Sequence, residues 1–130
     1  MNKILWIVFF GITFSMGQLQ NVWATPAFVE KNIKIIDIRT PNEWEDTGIV
    51  KGSYTIMFFD EKGAFDLKKF LRKIDKIVKK DEQFALLCRI GSRTGTVANF
   101  LSYKLHYNVI NLKGGITKMI KEGYKTTPYP

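Results

Sequence analysis

The sequence predicts an α/β domain in which a mostly parallel central sheet carries helices on both faces. Two short apolar runs, residues 33–38 and 84–88, lack the alternation of half-solvated strands, so we expect both to be covered on both sides. Helical patterns lie between the strand candidates, and strands that alternate with helices favour parallel pairing. At 130 residues the chain has room for one domain.

The other elements follow from residue spacing. Residues 53–59 and 108–112 are further strand candidates, rich in β-forming residues. Residues 67–78 place apolar side chains three and four positions apart and leave most basic side chains on the other faces, which predicts an amphipathic helix with Asp66 as its N-cap. Further helices are expected at 92–105 and 116–122, with a helical turn at 40–46.

The N-terminal segment, residues 1–24, has the features of a secretory signal peptide. Lys3 precedes an apolar run over residues 4–14, and Val22 and Ala24 occupy the small-residue positions before a cut. The run is short for a bilayer span, which needs about 20 apolar residues. We expect cleavage after Ala24, a domain over 25–130 and export to a bacterial periplasm, with an uncleaved membrane anchor as the alternative.

Cys88 is the only cysteine in the chain. Structural cysteines of exported proteins usually occur in pairs, so a single cysteine is either an inert core residue or a working thiol. Cys88 stands where a predicted strand ends and a predicted helix begins, and ligands of parallel sheets bind beyond the carboxyl ends of the strands. Its position and neighbours favour the working thiol.

Residues 88–94 carry the residue types that a reactive thiol needs. A strand-to-helix turn that contains Gly91 can bring backbone N–H groups together as an anion nest, and the helix N-terminus adds its positive dipole end. Such surroundings favour a thiolate. Arg89 and Arg93 add permanent charge and forked donors suited to a tetrahedral oxyanion.

Either Ser92 or Thr94 can donate a hydroxyl hydrogen bond or cap the helix. Taken singly, each residue of the segment has an ordinary explanation, as a surface arginine or a turn glycine. Together, a lone cysteine, two arginines, a glycine and a helix start within seven residues indicate an anion-binding thiol site.

Three blocks of sequence resemble the rhodanese-like domain family, and they span most of the predicted domain. The segment Cys88-Arg89-Ile90-Gly91-Ser92-Arg93 resembles the family's active-site loop, Cys-Arg-x-Gly-x-Arg. Residues 37–39, 43–44 and 48–53 resemble its upstream block, and residues 111–116 its closing motif. Two positions depart from the pattern: Ile49 aligns with the usual histidine, and Ile116 stands in place of a tryptophan. Neither is the nucleophile, so they bear on packing and specificity.

The resemblance implies a thiosulfate sulfurtransferase in which Cys88 carries sulfur as a persulfide. The backbone from Arg89 through Ile90 to Thr94 would hold that group, with Arg89 and Arg93 steering thiosulfate or another small anionic donor. The acceptor would be a small-molecule or protein thiol, or cyanide. No metal or organic cofactor is needed, and a monomer is expected. Supporting roles fall to Asp37 and Arg39, which would buttress the loop and pair with Glu43.

Three other function classes are compatible with parts of the sequence. A phosphatase or arsenate reductase of the same fold needs Cys-x5-Arg, but Thr94 occupies that arginine's position. A non-catalytic binding module is the alternative from another class, although such domains often lack the cysteine or the arginines. The net charge of +8 raises nucleic-acid binding, but the basic residues are spread along the chain without a binding motif, so we expect none. His106, the single histidine, lacks metal-ligand company.

Overall fold

The computed structural model describes residues 17–130. Residues 1–16, which carry the apolar run of the predicted signal peptide, lie outside the described residues. Within the described residues, five parallel strands form one sheet with the order β1-β5-β4-β2-β3. The strands are β1 (Leu19–Trp23), β2 (Ile35–Asp37), β3 (Tyr54–Thr55), β4 (Phe84–Leu87) and β5 (Val109–Lys113). The predicted α/β class is therefore confirmed.

The helices are α1 (Pro26–Val29), α2 (Pro41–Thr47), α3 (Leu67–Asp75), α4 (Ser92–Leu105) and α5 (Gly115–Lys121). They cover both faces of the sheet, as the alternation of side chains along β4 demonstrates. Phe84 and Leu86 belong to a core that also contains buried residues of α3 and α4. Ala85 and Leu87 belong to a second core that contains residues of α1 and α5. Such two-sided burial explains the uninterrupted apolar run.

Capping residues fix two of the helix starts. The Asp66 side chain accepts a hydrogen bond from the Lys69 N–H at 3.0 Å, which confirms the predicted N-cap of α3. Thr40 caps α2 and forms a reciprocal capping box with Glu43. This cap sets the position of Glu43 at the start of α2, on the side of the sheet where the candidate site lies.

The strand predicted at 53–59 is shorter in the structure. Only Tyr54–Thr55 pairs regularly with β2, and the chain beyond it leaves the ladder. Its N–H groups still follow β2, because Ile56 donates to the Asp37 carbonyl and Phe58 to the Ile38 carbonyl. Ile56 and Phe58 are buried in the core without regular strand geometry, whereas Met57 between them is exposed.

The strand β1 lies inside the segment that the sequence assigns to the signal peptide. It pairs in register with all of β5, and the N–H of the fully buried Ala24 donates to the Lys113 carbonyl at 2.8 Å. The strand β1 is mostly exposed and has neither a continuous apolar run nor strict alternation, which is why the sequence did not indicate a strand there. Cleavage after Ala24 stays a prediction. Within residues 17–130, no helix has the length and apolar character to cross a membrane.

Candidate active site

Cys88 directly follows β4, at the edge of the sheet where all five parallel strands end. The chain turns there and enters α4 at Ser92. The cysteine is fully buried, so its sulfur is surrounded by the turn that follows it. We call residues 88–94 the cysteine loop.

The cysteine loop curls its backbone around the sulfur. The Gly91 N–H donates to Cys88 Sγ at 3.2 Å, and the Thr94 N–H donates to it at 3.4 Å. The thiol in turn lies 3.5 Å from Thr94 Oγ1. Converging N–H groups at the start of a helix form a nest that stabilises negative charge on the enclosed atom. The predicted cradle of N–H groups is present, and we call it the N–H cradle.

Two glycines allow this loop to form. Gly91 has φ +96°, and a Cβ there would lie 2.9 Å from the Gly114 backbone nitrogen. Gly115 has φ +61°, and a Cβ there would collide with the backbone of Arg89 and Cys88. Both positions therefore require glycine for its positive φ and for the close approach of two backbones.

The closing motif holds the cysteine loop from behind. The Ile116 N–H donates to the Cys88 carbonyl at 2.9 Å, and the Thr117 N–H donates to the Arg89 carbonyl at 3.1 Å. These bonds occupy loop carbonyl groups with the first N–H groups of α5. Ile116 itself is buried in the second core, so its replacement of the family's tryptophan is a packing change.

A polar chain of hydrogen bonds runs from the sulfur to the edge of the sheet, and no sequence motif indicates that its members are connected. The Thr94 hydroxyl donates to Asn111 Oδ1 at 2.6 Å, and Asn111 Nδ2 donates to Asn21 Oδ1 at 3.0 Å. Asn111 is buried on β5. In the sequence, Asn111 is the first residue of the closing motif and a polar residue inside the mostly apolar strand candidate at 108–112, and neither feature indicates its contact with Thr94.

Arg93 is paired with Glu43, a partner that the sequence had assigned to Arg39. Both terminal nitrogens of Arg93 donate to the carboxylate, each at 2.7 Å. The hydrogen bond from Arg93 lowers the pKa of Glu43 to about 2, against the opposing effect of burial. The same bond raises the pKa of Arg93. The forked donor group of Arg93 is thus already occupied by a carboxylate.

Asp37 and Arg39 form a fully buried ion pair with Arg39 Nη2 at 2.8 Å from Asp37 Oδ2. Arg39 also donates to the Thr47 hydroxyl and the Gly48 carbonyl, at the end of α2. Through these bonds the pair is connected to α2 and to the residue after it. The expected support of the cysteine loop is therefore indirect, through the helix that carries Glu43. Ile49, in place of the family's histidine, is buried and exchanges two backbone hydrogen bonds with Thr127.

A cleft opens in front of the cysteine loop, with a volume of 760 Å³, and both Arg89 and Arg93 line it. Arg89 and Ile90 are exposed, and so is Ser92 at the first turn of α4, whereas Thr94 is buried. Of the two candidate hydroxyls, Thr94 therefore contacts the sulfur. His106 ends α4 in an exposed position, and among residues 17–130 no group of three potential ligands could hold a metal ion.

Comparison with known proteins gives relatives with the same fold. A rhodanese-related protein from Thermoplasma volcanium superposes with a TM-score of 0.59 at 28% identity, covering 82% of this chain and 94% of that one. A protein from Staphylococcus saprophyticus superposes with a TM-score of 0.56 at 21% identity, covering 78% and 96%.

A curated relative by sequence is Protein HIGH ARSENIC CONTENT 1, mitochondrial, from Arabidopsis thaliana, 23% identical over 80% of this chain. The chain spans 62% of the length of that protein. Residues 23–122, which contain the cysteine loop, the upstream block and the closing motif, match the model of the Rhodanese-like domain. The chain therefore belongs to the rhodanese-like domain family.

Proposed function

We propose that this protein is a sulfurtransferase that moves sulfane sulfur from thiosulfate or a related donor to a thiol or cyanide through a persulfide on Cys88. The observation that carries the proposal is the N–H cradle: Cys88 Sγ accepts hydrogen bonds from the N–H groups of Gly91 and Thr94. Such a cradle stabilises negative charge on Cys88 Sγ, both in the thiolate that attacks the donor and in the thiolate that leaves when the persulfide is discharged. Membership of the family supports sulfur transfer in general.

The reaction has two displacements at sulfur. The Cys88 thiolate attacks the outer sulfur of thiosulfate, the S–S bond of the donor breaks, and sulfite leaves with the bonding electron pair. The enzyme then holds a persulfide anion. In the second step an acceptor thiolate or cyanide attacks the outer sulfur, and the electron pair of the broken S–S bond returns to Cys88. Arg89, exposed at the mouth of the cleft, is the cation available to a donor anion.

The test is thiocyanate formation from thiosulfate and cyanide by wild type and Cys88→Ser. Wild type is expected to turn over and to gain one sulfur atom by intact mass when treated with thiosulfate alone. Cys88→Ser should do neither, because its hydroxyl is a far weaker nucleophile toward sulfur. Wild-type turnover by the serine variant would exclude Cys88 as the carrier. A folded wild type that accepts sulfur from no sulfane donor would favour a binding module.

Arsenate reduction is the second candidate, since the name of the Arabidopsis relative refers to arsenic. The loop spacing argues against it, because Thr94 stands where the longer loop has its arginine. The fork of Arg93 is also occupied by Glu43, so it is not open to an oxyanion. Incubation with arsenate and a thiol reductant, followed by arsenite measurement, tests this candidate on the same two proteins.

We also propose that the chain is exported to a periplasm through its N-terminal segment, and the site of the cut bears on the fold. A cut after Ala24 removes β1, which pairs with β5 along its whole length. A cut at the Gly17–Gln18 bond, with Ser15 and Gly17 as the small residues before it, would leave β1 in place.

Intact-mass measurement on protein recovered from an exporting host distinguishes these outcomes. A chain that begins at Gln18 would keep the whole sheet. A chain that begins at Thr25 would confirm the cut after Ala24. Met1 on membrane-bound protein would establish the anchor instead.

A further inference from the structure

The cleft in front of the cysteine loop carries more negative than positive charge. Two arginines of the loop line it, together with four carboxylates: Glu43, Asp46, Asp60 and Glu61. The chain as a whole has a net charge of +8, so the charge at this place is opposite in sign to the rest. The cysteine loop makes this cleft the candidate site, and its carboxylates bear on which partner it admits.

The charges of Glu43 and Arg93 cancel each other within the cleft. Each oxygen of the Glu43 carboxylate accepts a hydrogen bond at 2.7 Å, and the pKa of Glu43, about 2, keeps it ionised. Arg89 is then the one remaining arginine of the lining. It shares the lining with three further carboxylates that we call the carboxylate rim: Asp46, Asp60 and Glu61.

Local contacts fix the rim in place. Asp60 Oδ1 accepts the N–H groups of Lys62 and Ala64 at 2.9 and 2.8 Å, which closes the turn that carries it. Asn42 of α2 donates to Glu61 at 3.0 Å and so ties that turn to the helix bearing Asp46. Lys62, in the same turn, does not line the cleft. The rim is therefore built from two elements held together across the cleft.

The two substrates of a persulfide reaction meet the cleft at different depths. A donor must bring its outer sulfur to the buried Cys88 Sγ, where the N–H cradle favours negative charge. The acceptor arrives after Cys88 has gained a sulfur, which extends the reacting atom outward by about 2 Å, the length of an S–S bond. We therefore expect the body of the acceptor to lie farther out, toward the cleft that the rim lines.

We propose that the sulfur acceptor is a thiol with a positive charge beside its sulfur, drawn to Cys88 by the carboxylate rim. The inference rests on the proposed sulfurtransferase function and names the class of its second substrate. The lining of this cleft has a net negative charge, and such a field raises the local concentration of cations and their association rate. In the transfer, the acceptor thiolate forms a bond to the outer sulfur and the Cys88 S–S bond breaks. The acceptor leaves as a persulfide, and Cys88 returns as a thiolate.

The charge of the cleft is tested first without sulfur transfer. Cys88 is modified with two methanethiosulfonates that differ in charge, the cationic 2-aminoethyl and the anionic 2-sulfonatoethyl reagent, and the rate ratio is measured at low and high ionic strength. The ratio is expected to favour the cation at low salt. It should fall about tenfold in the double variant Asp46→Asn with Glu61→Gln, and also at high salt, because screening weakens the field.

Glu30→Gln is the matched control. It removes one carboxylate from the connection that leads into the start of β2, at the opposite edge of the sheet, and should leave the ratio unchanged. An equal ratio in wild type and the double variant would overturn the proposal. Failure of both reagents to reach Cys88 would also overturn it, since the cleft would then not lead to the thiol.

The second test uses protein loaded with the Cys88 persulfide. Its discharge is timed with cysteamine, 2-mercaptoethanol and 3-mercaptopropionate, which differ in charge, in wild type and the same variants. The ratio of the discharge rate with cysteamine to that with 3-mercaptopropionate should be about tenfold higher in wild type than in the double variant. A cysteine peptide flanked by lysines distinguishes a protein source from a small thiol. If no persulfide forms, the proposed function is refuted, and the ratio of methanethiosulfonate rates still tests the charge of the rim. If the persulfide forms but its discharge does not depend on the charge of the thiol, only the role of the rim is refuted.

Discussion

The N–H cradle around Cys88 and the cleft in front of it adjoin, yet they are built differently and favour opposite charges. The cradle consists of backbone N–H groups from a single turn, held from behind by the start of α5. The cleft consists of side chains from α2, the turn after Phe59 and the cysteine loop. The cradle stabilises negative charge on sulfur, whereas the rim attracts positive charge to its mouth.

The difference has a consequence for substitution. A backbone site depends on close approach and on positive φ, so added side-chain atoms damage it while charge changes elsewhere do not. A side-chain site depends on charge, so neutral isosteres alter it while its shape survives. The cradle should therefore be sensitive to shape, and the cleft to charge and ionic strength.

The largest loss of activity is expected from a methyl group added at Gly115, where the start of α5 lies against the cysteine loop. Gly115→Ala places a Cβ against the backbone of Arg89 and Cys88 at φ +61°. The loop must shift, so sulfur transfer should fall by at least about 100-fold, equivalent to about 2.7 kcal/mol of transition-state stabilisation. Steady-state thiocyanate formation measures the loss, with circular dichroism to establish that the variant is folded.

Gly63→Ala is the matched control within the cleft. Gly63 also has positive φ, +83°, but nothing lies within 4 Å of an added Cβ. The substitution should lower the free energy of unfolding by about 1 kcal/mol through backbone strain and leave transfer within about twofold. Equal damage from both alanines would mean that strain, and not contact with the cysteine loop, decides the outcome.

A smaller effect is expected within the cysteine loop from its two hydroxyls. Thr94→Val keeps the shape and the N–H group but leaves Asn111 Oδ1 without the hydroxyl that donates to it. Stability should fall by about 1–3 kcal/mol, and transfer by about tenfold because the contact with Cys88 Sγ is also lost. Ser92→Ala should stay within about 0.5 kcal/mol, since Ser92 is exposed. Urea unfolding and the transfer assay together measure both variants, and equal effects would assign no role to the Thr94 hydroxyl.

Much of the fold could be predicted because its signals are local. Four strand candidates, the three main helices and the helical turn of α2 lie where apolar spacing and Asp66 placed them. The strand β1 was not predicted, because its five residues form neither a continuous apolar run nor a strict alternation. It gains its order from pairing with β5. Residues 53–59 were predicted as one strand, because a buried segment without regular pairing has the same apolar and β-forming residue types as a paired strand.

The candidate site divides in the same way. The loop from Cys88 to Thr94 is contiguous, so its residues and its turn could be predicted from one stretch of sequence. The link from Thr94 to Asn111 and the pair of Arg93 with Glu43 join residues far apart in the chain. Sequence spacing gives no distance between such residues, and Glu43 was accordingly assigned to the wrong arginine.

The smallest predicted effect concerns Glu43, which belongs to both regions because it lines the cleft and binds Arg93 of the cysteine loop. Its pKa is lowered from 4.5 to about 2 by the hydrogen bond from Arg93. A group with a lowered pKa in the folded protein stabilises it fully above the ordinary pKa and loses that contribution as the pH falls. The contribution, about 1–2 kcal/mol after allowance for partial exposure, should thus be lost between pH 4.5 and about 2.

Glu43→Gln should lower the free energy of unfolding by that amount at pH 7 and flatten its slope between pH 4.5 and 2, measured by urea unfolding at each pH. Glu82→Gln is the control, because Glu82 is also a half-buried carboxylate paired with a cation, Lys34, but lies before β4 at the other edge of the sheet, away from the cleft. It should change the slope less. Freeing the Arg93 fork and removing a carboxylate from the cleft should also lower the KM for thiosulfate in Glu43→Gln. A lower KM with an unchanged free energy of unfolding would mean that Glu43 acts only on the charge of the cleft. An unchanged KM with a lower free energy of unfolding would mean that it acts only by holding Arg93 of the cysteine loop.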